Sequence, residues 1–367
     1  MKVLIVGAGI AGLAAARAFE MRGYHPEIVE RQTASPTAGQ SIFLLGNAMR
    51  ALENLGLQDQ VSKVSFPIQT QTIFSSRGKL LNHVQTPSVW DTCGPCVAVT
   101  RPSLMELMRN SLISTRIDFG TTVMRTVLRR DKREVYFSDG RVSDFDLVIG
   151  ADGVRSSIRA ASFTLAAPRS VGLSAWRLLT DNRYQITGWT AMLGSGRTLL
   201  AIPLPNAKLY IYADCPTREF GSGSIEQLKR LFAGFAPPLG HIVADISDGA
   251  DAHRAEIEEV PYRDHAAERL VLIGDAAHAS SPSMAQGAAM AMEDAIVLAA
   301  CLSRKQTVER AISQFGELRK RRVDWVQKQS NARDKLRGAP DVVRNMLLRT
   351  LGTKLYHRSY DMLVEPL

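Results

Sequence analysis

Residues 2–12 read Lys-Val-Leu-Ile-Val-Gly-Ala-Gly-Ile-Ala-Gly, and this stretch decides the fold. Its apolar run predicts a parallel strand that is buried on both faces. Residues 13–22 are rich in alanine, a strong helix former, and Gly23 ends the predicted helix. Residues 27–30, Glu-Ile-Val-Glu, form the next predicted strand. Two strands joined by one helix indicate a parallel sheet with a right-handed crossover.

The glycines of this stretch match the Gly-x-Gly-x-x-Gly fingerprint of a dinucleotide site. Gly7 permits the turn after the strand, Gly9 lets a pyrophosphate approach the backbone, and Gly12 lets the helix and strand pack closely. The predicted turn spans Gly7 to Gly12, and the helix after it presents N–H groups and a positive dipole to phosphates. Glu30 ends the next strand, where a carboxylate can accept both ribose hydroxyls. The pattern predicts dinucleotide binding.

Two more apolar strands end in short acidic turns. Residues 270–275 finish in Gly-Asp, and a helix rich in small residues follows at Gly287. Residues 149–153 finish in Asp-Gly, and a helix carrying Ser156 follows. A carboxylate at the C-terminal end of a parallel strand points into the ligand crevice. Each segment alone is also compatible with an ordinary strand, turn and helix.

The rest of the chain alternates between helical and strand-like segments. A hairpin is predicted from residues 134–137, a Ser-Asp-Gly turn and residues 146–149. Helical spacing occurs at 47–55, 102–112, 224–235 and 284–302, and strand-like composition occurs at 66–85 and 171–211. This order predicts one nucleotide-binding domain that is interrupted twice by segments of a second domain.

Together, the three turns resemble those of the FAD-dependent aromatic hydroxylases, the para-hydroxybenzoate hydroxylase-like single-component flavoprotein monooxygenases. Glu30-Arg31, residues 39–42 (Gly-Gln-Ser-Ile), Arg101 before a helix and Trp176-Arg177 add to the resemblance, which covers residues 1 to about 360. It implies an α/β fold in which a Rossmann-like FAD-binding domain is interrupted by a mainly antiparallel β-sheet substrate domain and followed by C-terminal helices. The implied limits are 1–70, 97–170 and 262–303 for the FAD-binding domain, 71–96 and 171–261 for the substrate-binding domain, and 304–367 for helices packed on the FAD domain.

The resemblance also implies cofactor roles. Glu30 binds the adenosine ribose, Arg31 lies near the adenine, and Val123 meets the adenine through its backbone. Arg101 binds the ribityl–pyrophosphate part, and Asp152 supports the pyrophosphate and nicotinamide interactions. The full implied set is Gly7, Gly9, Ile10, Ala11, Gly12, Glu30, Arg31, Gln40, Ser41, Arg101, Val123, Asp152, Asp275, Gln286, Gly287 and Ala288.

On the flavin side, Asp275 is implied to bind a ribityl hydroxyl, and residues 285–289 to meet the isoalloxazine ring. Ala285 departs from the family, which usually has glycine there, and its methyl group narrows the space beside the flavin. The family's substrate-orienting residues have no recognisable counterpart, so the catalytic residues are unassigned. Three candidates are Arg177, which lines the substrate cavity or a domain interface, His278, which is an acid–base or a structural residue, and Pro282.

The implied reaction needs FAD, NADPH or NADH as a transient co-substrate, and O2. The reduced flavin forms a C4a-hydroperoxide, which hydroxylates a small aromatic or heteroaromatic substrate. The cofactor carries this chemistry, and the protein supplies position and exclusion of water. The alternatives are a non-oxygenating cyclase or reductase, a flavin-bearing binding protein, and a halogenase, although the tryptophans at 90, 176, 189 and 325 never fall two apart as a halogenase motif requires.

Composition excludes several classes of protein. The 367 residues are 45% hydrophobic and 22% charged, which excludes disordered and collagen-like chains. The longest apolar candidate, residues 288–302, is interrupted by Glu293 and Asp294, so no stable membrane insertion is expected. Four cysteines and no recognised export signal predict a cytoplasmic protein, and we expect a monomer or a homodimer.

The net charge of +9 is concentrated near the C-terminus. Residues 304–358 hold 15 Lys and Arg against 5 Asp and Glu. Since aromatic residues are not interleaved, no nucleic-acid partner is predicted. Helical spacing of apolar residues in this region predicts an apolar stripe formed by Val308, Ile312, Phe315, Leu318 and Val323. We expect this stripe to dock on the body of the same chain, and the alternative is that it enters a lipid interface. The predicted solvated face carries Lys320, Arg321, Lys328 and Arg333.

Cys93-Gly94-Pro95-Cys96 has the spacing of a redox-active pair. Such a pair needs a helix N-terminus to lower the pKa of its thiol, whereas the residues that follow, 97–100, are strand-like. The sequence has no second dinucleotide fingerprint, which flavin disulfide reductases carry. No second Cys-x-x-Cys or nearby histidine completes a metal site. The pair is therefore predicted to be dispensable, and no metal is expected.

Overall fold

The computed structural model describes residues 1–33, 41–163, 167–262, 266–304 and 306–367. In chain order its strands are β1 (Val3–Val6), β2 (Glu27–Glu30), β3 (Ser41–Leu44), β4 (Phe66–Pro67), β5 (Thr70–Ser75), β6 (Leu80–Gln85), β7 (Val97–Thr100), β8 (Arg116–Phe119), β9 (Val123–Arg129), β10 (Lys132–Phe137), β11 (Val142–Phe145), β12 (Leu147–Gly150), β13 (Arg169–Asp181), β14 (Trp189–Gly194), β15 (Arg197–Leu204), β16 (Lys208–Pro216), β17 (His253–Glu259), β18 (Ala266–Ala267) and β19 (Leu270–Leu272).

The helices are α1 (Ile10–Glu20), α2 (Gly46–Asn54), α3 (Gln58–Lys63), α4 (Pro87–Trp90), α5 (Arg101–Asn110), α6 (Ser157–Ser162), α7 (Thr217–Phe220), α8 (Ile225–Phe232), α9 (Leu239–Ala244), α10 (Asp275–His278), α11 (Gly287–Leu302), α12 (Val308–Gly338) and α13 (Asp341–Val364). One turn of 3-10 helix, Pro282–Met284, precedes α11. The predicted α/β class is therefore confirmed.

Six of the described strands form the sheet that carries the fingerprint, in the order β18-β19-β12-β1-β2-β8. We call it the parallel sheet, because β19, β12, β1, β2 and β8 run parallel and β18 is antiparallel to β19. The central strand β1 is fully buried. This places the C-terminal ends of β1, β2, β12 and β19 on one edge, where parallel sheets bind ligands.

The predicted hairpin between 134–137 and 146–149 is wrong. β10 pairs antiparallel with β11 and with β9, whereas β12 joins the parallel sheet beside β1. The reason is burial, because β12 reads Leu-Val-Ile-Gly and is buried on both faces, as a central parallel strand requires.

Two helices begin at different residues from those predicted. α1 begins at Ile10, inside the fingerprint, because the backbone N–H of Leu13 already donates to the carbonyl of Gly9. α11 begins at Gly287 instead of residue 284, because Ala285 adopts a left-handed conformation with φ of 51° and ψ of 37°. A left-handed residue interrupts the helical hydrogen-bond ladder.

Seven of the described strands form a second, mainly antiparallel sheet, which we call the middle sheet, in the order β17-β13-β16-β15-β14-β5-β6. β5 and β14 pair in parallel, and the other neighbours pair antiparallel. One face packs against α8 and α9. The other faces residues of α11, α12 and α13. The strands come from both segments predicted for the substrate domain, whose limits stay a prediction.

The first part of α12 packs on the domain of the parallel sheet, whereas α13 packs mainly against β6 and α4 beside the middle sheet. Ile312 and Phe315 of α12 are buried in one cluster with residues of β1, α1 and α11. The predicted stripe is wrong at Leu318, which is 53% exposed, because Arg319 and Arg322 take the buried positions of this helix instead. The predicted solvated face is wrong at Arg333, which donates hydrogen bonds inside the molecule.

This packing predicts different costs for two neighbouring substitutions on α12. Phe315→Ala removes a ring that is 1% exposed, so we expect it to lower the free energy of unfolding by about 3–5 kcal/mol. Leu318→Ala changes a half-exposed side chain and should alter that free energy by about 0.5 kcal/mol or less. Denaturant titrations of both variants measure the difference. Equal losses would contradict docking through this face.

Candidate active site

Each fingerprint glycine is required, or left free of contacts, for a different structural reason. Gly7 has φ of 108°, and a Cβ there would lie 2.5 Å from the carbonyl oxygen of Ala151. A Cβ on Gly12 would lie 1.9 Å from the carbonyl oxygen of Gly7. At Gly9, by contrast, no described atom lies within 4 Å of that position. Packing therefore requires Gly7 and Gly12, whereas Gly9 borders open space of the kind that a pyrophosphate would fill.

The N-terminus of α1 faces this open space. Ile10 and Ala11 are the first helical residues and are buried, and Gly9 provides no side-chain cap. Because the first N–H groups of a helix have no partner within the helix, they can bind an anion. Glu30 accepts hydrogen bonds from the backbone N–H of Ala8 at 2.8 Å and of Gln32 at 2.9 Å. The carboxylate is thus fixed beside the loop, and its other lone pairs can accept ribose hydroxyls.

The remaining adenosine-side residues lie near the ends of neighbouring strands. Arg31 is exposed directly after β2. Val123 begins β9 close to Glu30, since the N–H of Thr121 donates to the Glu30 carbonyl at 3.0 Å. The hydroxyl of Ser41 donates to the carbonyl of Val99 at 2.8 Å. Gln40 lies outside the described residues, so its role stays a prediction.

Asp152 binds the start of α6 with one carboxylate oxygen, and its other oxygen has no hydrogen-bond partner in the part of the chain that the structure describes. Its Oδ2 accepts from the N–H of Ser157 at 2.7 Å and of Ile158 at 3.2 Å. Its Oδ1 is buried and has no hydrogen-bond partner among the described residues. Gly153, with φ of 82°, has no described atom within 4 Å of a Cβ position. Because buried acceptors are nearly always paired, this oxygen fits a ligand that donates a hydrogen bond.

Three of the predicted residues, Arg101, Asp275 and Arg177, lie within electrostatic reach of one another through Arg101. Burial lowers the pKa of Arg101, although the nearby carboxylate of Asp275 opposes that shift, and Arg177 lowers it further. Arg177 and Arg101 also help burial to lower the pKa of His253, which pairs with Arg177 across β17 and β13. Asp275 is exposed at the start of α10. One anionic and one cationic group therefore act on Arg101, namely Asp275 from the end of the parallel sheet and Arg177 from β13 of the middle sheet.

The segment before α11 presents its backbone to the same region. The side chain of Gln286 turns away, because its amide exchanges hydrogen bonds with that of Asn47 at 2.8 and 3.2 Å. Gly287 is exposed, and the atom nearest to a Cβ there is Oδ1 of Asp275 at 3.8 Å. Pro282 is exposed and Ala288 is half-buried. The backbone of residues 286–287 is thus available to a ring, whereas the Gln286 side chain is not.

His278 belongs to a buried ionic network. Its Nε2 lies 2.6 Å from Oδ2 of Asp294. The same Oδ2 accepts a hydrogen bond from the backbone N–H of Gly274 at 2.8 Å. The other oxygen of Asp294, Oδ1, accepts from Nε of Arg319 at 2.7 Å. Burial alone would raise the pKa of Asp294, but His278 and Arg319 hold it well below its usual range. This position gives His278 a structural partner, and its side chain is only 6% exposed.

Glu293, next in the chain, extends the network. It accepts from Nη1 of Arg319 at 2.9 Å, from Nε of Arg322 at 2.8 Å and from the amide of Asn47 at 3.1 Å. Arg322 then donates to the carbonyls of Met362 and Leu363 near the end of α13. The network links the Gly-Asp turn, α2 and both C-terminal helices.

Sequence reasoning singled out Arg177 but missed its polar neighbours on β16, Tyr210, Tyr212 and Asp214. Arg177 lies 5.7 Å from the ring of Tyr212, whose hydroxyl donates to Asp214 at 2.8 Å. Burial raises the pKa of Tyr210 to about 12, although Arg177 opposes that shift. Tyr210, Tyr212 and Asp214 alternate with apolar residues along β16, and this period of two could have revealed them. We call Arg177, Tyr210 and Tyr212 the Arg177 face; the same cluster includes Leu200, Ile202 and Met284.

The comparisons agree with this geometry. Residues 1–192 and 240–329 match the family model described as an FAD binding domain. The chain is 32% identical over 337 residues to the 2-heptyl-3-hydroxy-4(1H)-quinolone synthase of Pseudomonas aeruginosa, covering 90% of this chain and 88% of that protein. It is 28% identical to the FAD-dependent urate hydroxylase of Klebsiella pneumoniae, covering 86% and 85%.

Solved structures share the whole fold. The crystal structure of Klebsiella pneumoniae HpxO complexed with FAD and uric acid superposes with a TM-score of 0.89 at 25% identity, covering 100% of this chain and 97% of that one. A salicylate hydroxylase with bound substrate superposes with a TM-score of 0.81 at 19% identity and supports the fold alone. Among the described residues, no helix combines the length and apolar character needed to cross a membrane.

The glycine geometry predicts opposite outcomes for two substitutions. Gly9→Val points into open space, so the variant should fold with a near-normal melting temperature but fail to retain FAD. Gly12→Ala drives a methyl group into the Gly7 carbonyl and should give unstable or insoluble protein. Thermal melts of the apo-proteins and the flavin absorbance of the purified proteins test the pair. A yellow Gly9→Val protein would refute the pyrophosphate position.

The cysteine pair should be dispensable. Burial raises the pKa of the Cys93 thiol and raises that of Cys96 to about 12, so Cys96 remains a protonated, unreactive thiol at pH 8. Iodoacetamide should therefore label Cys96 only after unfolding. The Cys93→Ala/Cys96→Ala variant should keep its FAD and its rate of NAD(P)H oxidation. Lost activity with intact flavin would revive the redox interpretation.

Proposed function

Because this chain belongs to the FAD-binding family of aromatic hydroxylases and is a FAD-dependent monooxygenase, we propose that it uses NADH or NADPH to hydroxylate a fused N-heteroaromatic ring held against the Arg177 face. When bound, FAD would supply the redox chemistry, in which the hydride of NAD(P)H and a proton reduce one atom of O2 to water while the other atom is added to the ring. The protein's own residues bind, orient and shield the reactants.

The observation that carries the proposal is the polar group on an otherwise apolar sheet face. Pockets for small aromatic ligands are mostly apolar, with a few convergent polar groups that fix orientation. Here Arg177 and Tyr210 are those groups, among Leu200, Ile202 and Met284. Arg177 also lies within electrostatic reach of Arg101 and hence of Asp275, so the face adjoins the proposed flavin position.

The cofactor residues divide the work by location. The N-terminus of α1 and Gly9 hold the pyrophosphate, and Glu30 accepts the ribose hydroxyls. Asp275 and Arg101 bind the ribityl region, and the backbone of residues 286–287 meets the flavin ring. The open space at Gly9 supports this assignment, and the unpaired Oδ1 of Asp152 would accept a hydrogen bond from a donor on the bound FAD or NAD(P)H.

The chemistry of the Arg177 face favours a substrate with a ring oxygen. With a pKa of about 12, Tyr210 remains a neutral phenol in the physiological range and can donate a hydrogen bond. Arg177 adds a cationic donor. A 4(1H)-quinolone and urate, named for the two relatives, both carry ring carbonyls on fused N-heterocycles. We also propose that the protein is a monomer or a homodimer and that it is located in the cytoplasm.

The test measures NADH and NADPH oxidation with 2-alkyl-4(1H)-quinolones, urate and salicylate, followed by product mass under ¹⁸O2. We expect one N-heteroaromatic class to accelerate oxidation and to gain one labelled oxygen atom. Tyr210→Phe should raise KM about two- to tenfold through the loss of one hydrogen bond. Tyr184→Phe is the matched control, because its hydroxyl bonds Asp245 on the other side of the middle sheet.

Two results would overturn the proposal. One is the absence of oxygen in every product despite bound FAD, which would indicate a cyclase or reductase. The other is an equal effect of the two tyrosine variants, which would remove the Arg177 face from substrate binding.

A further inference from the structure

The turn formed by residues 281–286 is held by groups from the C-terminal helices. Nη1 of Arg333, on α12, donates to the carbonyl of Ser283 at 2.9 Å. The hydroxyl of Tyr360, on α13, donates to the carbonyl of Met284 at 3.4 Å. The hydroxyl of Ser283 also donates to Asp334. Two consecutive backbone carbonyls of this turn thus depend on side chains that lie about 50 and 76 residues away in the chain.

The turn is strained and needs external support. Ala285 is left-handed, with φ of 51° and ψ of 37°, a conformation that is unfavourable for a residue with a Cβ. Such conformations persist only where the surroundings enforce them. Met284, directly before it, is fully buried in one cluster with Tyr356, Tyr360 and Leu363 of α13. The C-terminal helices supply that enforcement.

Arg333 and Tyr360 act as one unit. The guanidinium of Arg333 lies 4.8 Å from the centroid of the Tyr360 ring, and its Nη1 donates to the Tyr360 hydroxyl at 3.0 Å. Nη2 donates to the hydroxyl of Ser359 at 2.8 Å. The Tyr360 ring also packs 5.0 Å from Trp90 and 5.0 Å from Tyr356. Each side chain therefore limits the movement of the other.

We propose that Arg333 and Tyr360 are positioning residues that set the 281–286 turn and, through it, the flavin ring. This inference rests on the proposed function only in placing the flavin beside that turn. Because both residues bind backbone carbonyls of the turn without contacting the reacting atoms, we expect their substitution to alter the binding and the spectrum of the flavin while the fold is retained.

Tyr360→Phe and Arg333→Gln test the inference in the full-length protein with bound FAD. We expect about two- to tenfold weaker FAD binding in a fluorescence titration, because each variant loses a hydrogen bond to the turn or to its support. The flavin absorption bands and the midpoint potential should shift as well. Arg333→Lys, which keeps the charge and a donor, should restore part of the wild-type values.

Tyr356→Phe is the matched control. Its hydroxyl accepts from Trp90 and Gln71 in the same aromatic cluster but does not contact the turn. Lys328→Gln, at an exposed position of α12, controls for the loss of a positive charge. Both controls should keep the wild-type flavin spectrum, potential and FAD affinity, even if Tyr356→Phe lowers the melting temperature.

The outcomes separate this inference from the proposed function. If Tyr360→Phe and Tyr356→Phe lower the melting temperature alike and neither alters the flavin, the contacts are structural and the inference is wrong. If the flavin shifts only in Tyr360→Phe and the Arg333 variants, the inference stands, even where the wild-type protein oxygenates no compound of the substrate panel.

Discussion

Two buried carboxylates on α11 fix the arrangement of everything around them. Glu293 and Asp294 are at most 1% exposed, and each is met by guanidinium groups of α12. Burying an ionised carboxylate costs several kcal/mol, and only complete pairing offsets that cost. Asp294 is therefore bound on both oxygens, by Arg319, His278 and the N–H of Gly274. A shift of any of these elements leaves a buried charge without a partner.

The network couples the cofactor side of the molecule to its C-terminal helices. Gly274 begins the Gly-Asp turn that carries Asp275, and Asn47 joins Glu293 to Gln286 at the start of α11. Arg322 and Arg50 both donate to carbonyls at the end of α13. The basic C-terminal region is thus a structural part of the molecule, since several of its arginines form buried ion pairs or hydrogen bonds within it.

The sequence predicted those features that depend on neighbouring residues. The β1-α1-β2 unit, the fingerprint glycines and the strand before Asp275 were predictable, because each is specified by local spacing and burial. Leu318 was misassigned, because apolar spacing cannot reveal that Arg319 and Arg322 find buried carboxylates on another helix. The hairpin prediction was wrong for a related reason. Two segments, residues 142–145 and 147–150, are both strand-like. Which of them pairs with β10 depends on the tertiary position of β1, which takes residues 147–150 as its own neighbour. The Arg177 face likewise depends on which side of β16 is covered by α8 and α9.

The strand order also governs how the chain can fold as it is synthesised. One edge of β1 cannot pair until β12, more than 140 positions later in the chain, has been synthesised. The other edge of β12 in turn cannot pair until β19 has been synthesised. β5 finds its parallel partner β14 more than 110 positions further on. Such a high contact order makes folding slow, because long loops close before their contacts are gained. Before β12 and β14 have been synthesised, one edge each of β1 and β5 is unpaired and can pair with strands of other chains. The nascent chain is therefore most prone to aggregation at this stage, long before its last helices have been synthesised.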